Sequence, residues 1–238
     1  MSFTDSWNAF FRKPAPNIVL RTVVLLAGFA FIAMGIAVSR STNMGVSCIS
    51  AVPNVCSYIT DKLTLGQITL IWNAFFMLVQ IALLRRNYKP VQLLQIVCTV
   101  PFAAMIDFFV PIAAAIPQPN YAVNWLFMII AGILTGIGVF LEVKSCMIPL
   151  PGEGVSVTIA QVFKLSFHKC KVGFDTFNIV LAAVISLVSM GGLIGVREGS
   201  IFMAVAVGYI VKIIGKLLPN FERFCPTEGM YGFGSNAA

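Results

Sequence analysis

The chain has 238 residues, 58% of them hydrophobic and only 11% charged, with a mean hydropathy of +0.91. A composition this apolar excludes a water-soluble enzyme or binding domain. The net charge of +7 suits anionic lipid headgroups; nucleic acid is excluded as a partner, because no soluble face exists to carry it. The expected fold class is therefore all-α, a membrane protein of about six transmembrane helices, since about 30 Å of hydrocarbon takes about 20 helical residues and offers the backbone no partner. No segment alternates with a period of two over the length of a barrel strand.

Residues 1–17 are polar and aromatic, with Trp7, Phe10, Phe11, Arg12 and Lys13. They read as a cytoplasmic amphipathic approach to the membrane, not as a cleaved signal. Residues 18–115 form a first membrane repeat with spans Ile18 to Val38, Leu65 to Leu84 and Val91 to Ala115. Between its first two spans Ser39 to Tyr58 is a broken segment, marked by Pro53. Residues 116–122 make an outer loop. Residues 123–218 form a second repeat, with spans Val123 to Val143, Phe177 to Val196 and Ile201 to Leu218. Its broken segment, Ser145 to Phe167, is marked by Pro149, Pro151, Gly152 and Gly154. Residues 219–238 are a cytoplasmic tail.

Cations set the orientation. With the N-terminus inside, Arg12, Lys13, Arg85, Arg86, Lys89, Lys144, Lys164, Lys169, Lys171, Lys216 and Arg223 face the cytoplasm, against Arg40, Lys62 and Arg197 outside. Both termini are then cytoplasmic. The six cysteines suggest small packing residues rather than a disulfide framework, and no metal-ligand spacing or cofactor motif appears. Gly132 with Gly136, and Gly191 with Gly195, give small-xxx-small faces that suit helix packing or a homo-oligomer surface.

Each repeat holds three spans, so the second begins on the opposite side of the membrane and the two are inverted. The broken segments then enter from opposite faces as re-entrant or surface helices. Met44-Gly45-Val46-Ser47 and Glu153-Gly154-Val155-Ser156 read almost alike, 109 residues apart. Paired breaks in duplicated membrane units mark binding sites, because a helix beginning inside the bilayer points unpaired N–H groups and partial positive charge at a ligand. The expected pocket is Asn43, Gly45, Ser47 and Ser50 with Gly152, Glu153, Gly154, Ser156, Thr158 and Gln161.

The run Thr42 to Pro53, the run Leu150 to Glu153-Gly154, and Glu198-Gly199-Ser200 followed by Ala204, Gly208 and Lys212 resemble the bacterial YczE/YyaS/YitT group of membrane proteins, in its uncharacterised branch. That resemblance implies a multi-pass protein of the bacterial plasma membrane and supplies no settled substrate.

Ionisable residues in apolar spans are costly and so are functional candidates. Asp107, flanked by Ile106 and Phe108, is the coupling candidate together with Glu153, and Lys212 lies 105 residues beyond Asp107 as its counterpart. Glu153 equally suits a helix cap. His168, the single histidine, has no catalytic context, so no enzyme is expected. The chain also lacks a GxxxxGK[ST] run for ATP. The expectation is a secondary carrier or facilitator of a small anionic or zwitterionic solute or ion. The alternative is an accessory or sensory subunit acting through helix contacts with a partner.

Overall fold

A computed structural model describes residues 18–218 apart from 61, 86–87, 89, 119, 146 and 148. The amphipathic approach over residues 1–17, the tail over 219–238 and the side chain of His168 lie outside the described residues. Among the described residues eight α-helices follow one another: α1 Ile18–Ser41, α2 Cys48–Ile59, α3 Leu65–Leu84, α4 Leu94–Ala114, α5 Tyr121–Ser145, α6 Pro151–Phe163, α7 Phe167–Met190 and α8 Glu198–Leu217. A short 3₁₀ turn, Pro90–Leu93, leads into α4. All but α2 and α6 are long and apolar enough to cross a membrane, so the chain is a multi-pass membrane protein.

Local chemistry explains the ends. Thr64 caps α3 reciprocally: its hydroxyl accepts from Gln67 N and its own N–H donates to the Gln67 side chain. Pro151 opens α6 at a position where no N–H is needed. Pro53 lies inside α2 rather than breaking it, and the chain break falls earlier, over residues 42–47.

The fifth span begins ten residues before the expected Phe177 and ends at Met190 instead of Val196. Lys169, Lys171 and Asp175 depress the hydropathy of its first turns, yet Lys171 and Asp175 pair with each other and keep the helix intact. Asn73 and Asn178 are buried within α3 and α7. Gly191 and Gly195 are not a helical packing face; both have positive φ and shape the turn into α8. Gly132 and Gly136 do pack, against Met203 and Ile210 of α8.

At the centre α1 and α5 run antiparallel in close contact. A Cβ on Gly28 would lie 2.9 Å from the carbonyl oxygen of Gly138, and one on Gly138 2.6 Å from that of Gly28. Further along, Gly35 abuts Ala131 and Thr135. Around this pair, α4 packs on α1 and α8 packs on α5; α2 packs on α7 and α6 packs on α3. The main core forms where Phe29, Ile32 and Ile36 of α1 meet Phe102 and Ile106 of α4. One pairing has no close counterpart: α3 packs along α4, whereas α7 and α8 make at most marginal contact.

A side chain at Gly28 has no room, since backbone on both sides bars relief. Gly28→Val is expected to lower stability by about 1–3 kcal/mol, the usual cost of overpacking. Gly208→Ala, inside α8 and facing open space, should not lower it and should raise it by up to about 1 kcal/mol. Thermal unfolding of both variants in detergent checks the contrast.

Candidate functional site

At 12 and 13 residues, α2 and α6 are about 18–20 Å long, too short to cross about 30 Å of hydrocarbon. Their N-termini meet. Ile49, in the first turn of α2, packs on Gly152, in the first turn of α6, where a Cβ would lie 2.7 Å from Ile49 Cγ2. Gly154, one residue beyond Glu153, leaves room for the Gln80 side chain, whose Nε2 donates to Pro151 O and to Gln95 Oε1, each at 3.1 Å. The glycines of this tip therefore admit protein side chains.

Beside the tip lies a charged cluster. Lys171 Nζ donates to Glu153 Oε1 at 3.1 Å and to Asp175 Oδ1 at 2.9 Å, and all three side chains are between a fifth and a third exposed. Asp175 stands eight residues into α7, about 12 Å from that helix's start, so the cluster lies within about the first third of that 24-residue helix. Helix α6 supplies Glu153 and α7 supplies the other two, on neighbouring faces of two packed helices. Two carboxylates face one ammonium. The cluster carries both signs, able to meet a solute carboxylate through Lys171 and a solute cation through the acids.

Around it the interior is polar. Asn73 and Asn178 are buried and donate to the carbonyls of Thr69 and Phe174, one turn earlier in their helices. Their Oδ1 atoms, and the Ser156 hydroxyl, have no protein partner among the described residues. Such orphaned groups are rare in native interiors and accompany water or ligand.

The expected pocket residues separate into three places. Asn43 is exposed beyond the end of α1, in the left-handed region at φ 55°, with Tyr58 Oη 3.5 Å from its side-chain oxygen. Gly45, at φ 110°, forms an antiparallel bridge with Val196, and the adjoining Met44 O accepts from Gly199 N at 3.0 Å. Gly45 thus docks the loop on the start of α8. Ser47 and Ser50 bond one another at 3.3 Å at the start of α2, in the turn that touches Gly152. Gly152, Glu153, Gly154 and the buried Ser156 lie at the other half of the tip; Thr158 is buried further along α6, and Gln161 is half-buried near its end.

The two near-identical motifs are not structural equivalents. Met44 to Ser47 precede α2, while Glu153 to Ser156 lie inside α6. The repeated feature is a hydroxyl turn 103 residues apart. Thr42 Oγ1 donates to Ser39 O at 2.6 Å and accepts from Met44 N at 3.2 Å; Ser145 Oγ donates to Glu142 O at 2.7 Å and accepts from Met147 N at 3.3 Å.

Asp107 has a task of its own. Its carboxylate accepts from Thr64 Oγ1 at 2.6 Å and from Gly66 N at 2.7 Å, so it holds the N-terminus of α3 from the neighbouring α4. Lys212 is exposed on α8, and no ion pair joins it to Asp107 among the described residues.

Sequence reasoning set Lys171 on the cytoplasmic side and left Asp175 ahead of the span expected from Phe177. Their four-residue spacing, which places them on one helix face, was the available signal. It passed over Glu142 and Arg21, both buried: Glu142 accepts from Leu150 N at 3.0 Å, steadying the start of α6, and Arg21 Nη1 donates to Ser145 O at 3.2 Å. No local pattern announces those contacts, which join residues up to 124 positions apart.

Asp107→Ala leaves two donors of α3 without their acceptor and should cost about 1–3 kcal/mol. Asp107→Asn, which keeps one acceptor, should cost less. Equal thermal midpoints for Asp107→Ala and the wild type would contradict the capping role.

Compared with known proteins, residues 19–216 match the profile of a family of unknown function, DUF6198. No curated protein and no solved structure matches.

Proposed function

The chain belongs to the DUF6198 family, to which no activity is attached, and we propose that it is a secondary carrier or facilitator of a small anionic or zwitterionic solute. The observation that carries this reading is the meeting of the N-termini of two helices too short to cross a membrane, Ile49 on Gly152, beside Lys171 and its two carboxylates. A zwitterion suits the cluster best, since Lys171 attracts its carboxylate while Glu153 or Asp175 attracts its ammonium.

The reading includes an inverted duplication about an axis between α1 and α5. Supporting it, Gly28 meets Gly138 while Gly35 meets Ala131, and each residue of one pair lies 103 positions from a residue of the other. That reciprocity is what a two-fold contact requires. Exchanging the halves also turns the pairing α1–α4 into α5–α8, and α2–α7 into α6–α3. The hydroxyl turns at Thr42 and Ser145 fit the same offset. The at most marginal contact of α7 with α8, against the packing of α3 along α4, is the inequality expected when a carrier of two inverted halves stands open to one side.

By the cation bias, the α6 and α7 end faces the cytoplasm of a bacterial cell, with the protein in its plasma membrane. Kinship with the YczE/YyaS/YitT group belongs to this proposal and rests on the motifs quoted above.

Uptake of a panel of radiolabelled amino acids and small carboxylates into proteoliposomes holding the full chain tests the assignment. At least one should accumulate, Lys171→Gln should reduce its rate at least tenfold, and Lys212→Gln, on the exposed face of α8, should not. Uptake of no panel member, or unchanged uptake by folded Lys171→Gln, would overturn it.

A further inference from the structure

A second polar site lies away from the helix tips, at the end of the bundle where α1 and α4 finish. A cavity of about 270 Å³ opens there, lined by Arg40, Asn43, Tyr58 and Gln118, with Val110 and Ala114 among its apolar walls. It is near the lower end of ligand pockets, which run about 300–1,000 Å³. Its occupant is then a molecule of few heavy atoms.

We propose that this cavity binds a small carboxylate, with Arg40 as its anchor. Arg40 is held before any ligand arrives. Its Nη1 donates to Asn54 Oδ1 at 2.7 Å and to Ser57 Oγ, and its guanidinium carbon lies 4.4 Å from the centre of the Tyr58 ring. All of these partners are uncharged. Among the described residues no carboxylate forms an ion pair with Arg40, and Nε and Nη2 have no protein partner. A half-buried guanidinium with a fixed plane, free N–H groups and no counter-charge is the arrangement that recognises a carboxylate bidentately. Gln118, whose Nε2 donates to Ser41 Oγ at 2.6 Å, fixes the loop after α4 over the same cavity.

The shared chemistry, an oxyanion, is also offered by a lipid phosphate, because arginines at helix ends commonly meet headgroups. The position of Arg40 favours a free carboxylate. It faces a cavity between α1, α2, α4 and the following loop, with short apolar walls that suit a brief hydrocarbon chain. Among the described residues no acid lines the cavity to receive an ammonium group.

The inference stands apart from the carrier reading and is tested by equilibrium binding alone. The purified full chain, in a phosphate-free maltoside detergent, is titrated by calorimetry with sodium salts of straight-chain carboxylates of two to six carbons. Their neutral amides and an anionic phospholipid are titrated in parallel. One or more carboxylates should bind, their amides should not, and Arg40→Gln should weaken binding at least tenfold. Ala114→Trp fills the cavity from the α4 side and leaves the arginine in the sequence, and it should abolish binding; it decides the matter if Arg40→Gln does not fold. Equal binding of amides, undiminished binding in folded Arg40→Gln or Ala114→Trp, or binding of the phospholipid with no carboxylate would overturn the proposal. Uptake without binding here would sink this site and spare the carrier, and binding without uptake would do the reverse.

Discussion

Two helices too short to span the bilayer dictate the arrangement of the rest. In the proposed arrangement α2 and α6 begin inside hydrocarbon, where lipid cannot satisfy their first N–H groups, so both need other helices around them. The structure meets that demand by packing α2 on α7 and α6 on α3. Gln80 and Glu142 then reach across to the backbone of Pro151 and Leu150 at the start of α6. Each of these side chains comes from a spanning helix. The long helices are thus placed by what the short ones need, and the small residues between α1 and α5 let that enclosure close tightly.

Charge inside the bundle follows the same rule. Lys171 would be costly in α7 alone, and its two acidic neighbours repay the desolvation only because α6 begins where Glu153 can reach it. Asp107 is matched to the N-terminus of α3 in the same manner, a carboxylate set against helix donors. Arg40 differs from these groups. Neutral partners hold it in place and no described carboxylate pairs with it, which is why it points to a ligand where Asp107 points to stability.

Much of the fold was legible because lipid narrows the choice to helices of a certain length. Leu65 to Leu84 was read to the residue, and four other spans within a few residues of their ends. The fifth was misplaced because hydropathy counts Lys171 and Asp175 as water-loving, while tertiary pairing makes them compatible with a helix in the membrane. For the site, Ser47, Ser50, Gly152, Glu153 and Ser156 were legible as the neighbourhood of the tip. Gly45 was not, since its positive φ serves the bridge to Val196, a contact 151 residues away that no local pattern encodes. Letter identity misled in the same way: the pair Gly-Val-Ser matched at an offset of 109, whereas the hydroxyl turns and helix starts keep to about 103.

That smaller offset gives the tip contact a meaning. Ile49 and Gly152 lie 103 residues apart, so under the proposed inversion they are equivalent positions that touch each other. Identical residues there would set isoleucine against isoleucine, which overfills the contact, or glycine against glycine, which leaves a void. A large residue on one half and none on the other packs well, but only at the expense of strict symmetry. The two halves are therefore bound to differ where they meet, and the inequality extends outward, with α3 closed on α4 and α7 in at most marginal contact with α8. In the proposed carrier the exchange of open and closed sides would pivot on this contact, where a bare backbone lets Ile49 slide across the first turn of α6 without a side chain in its path.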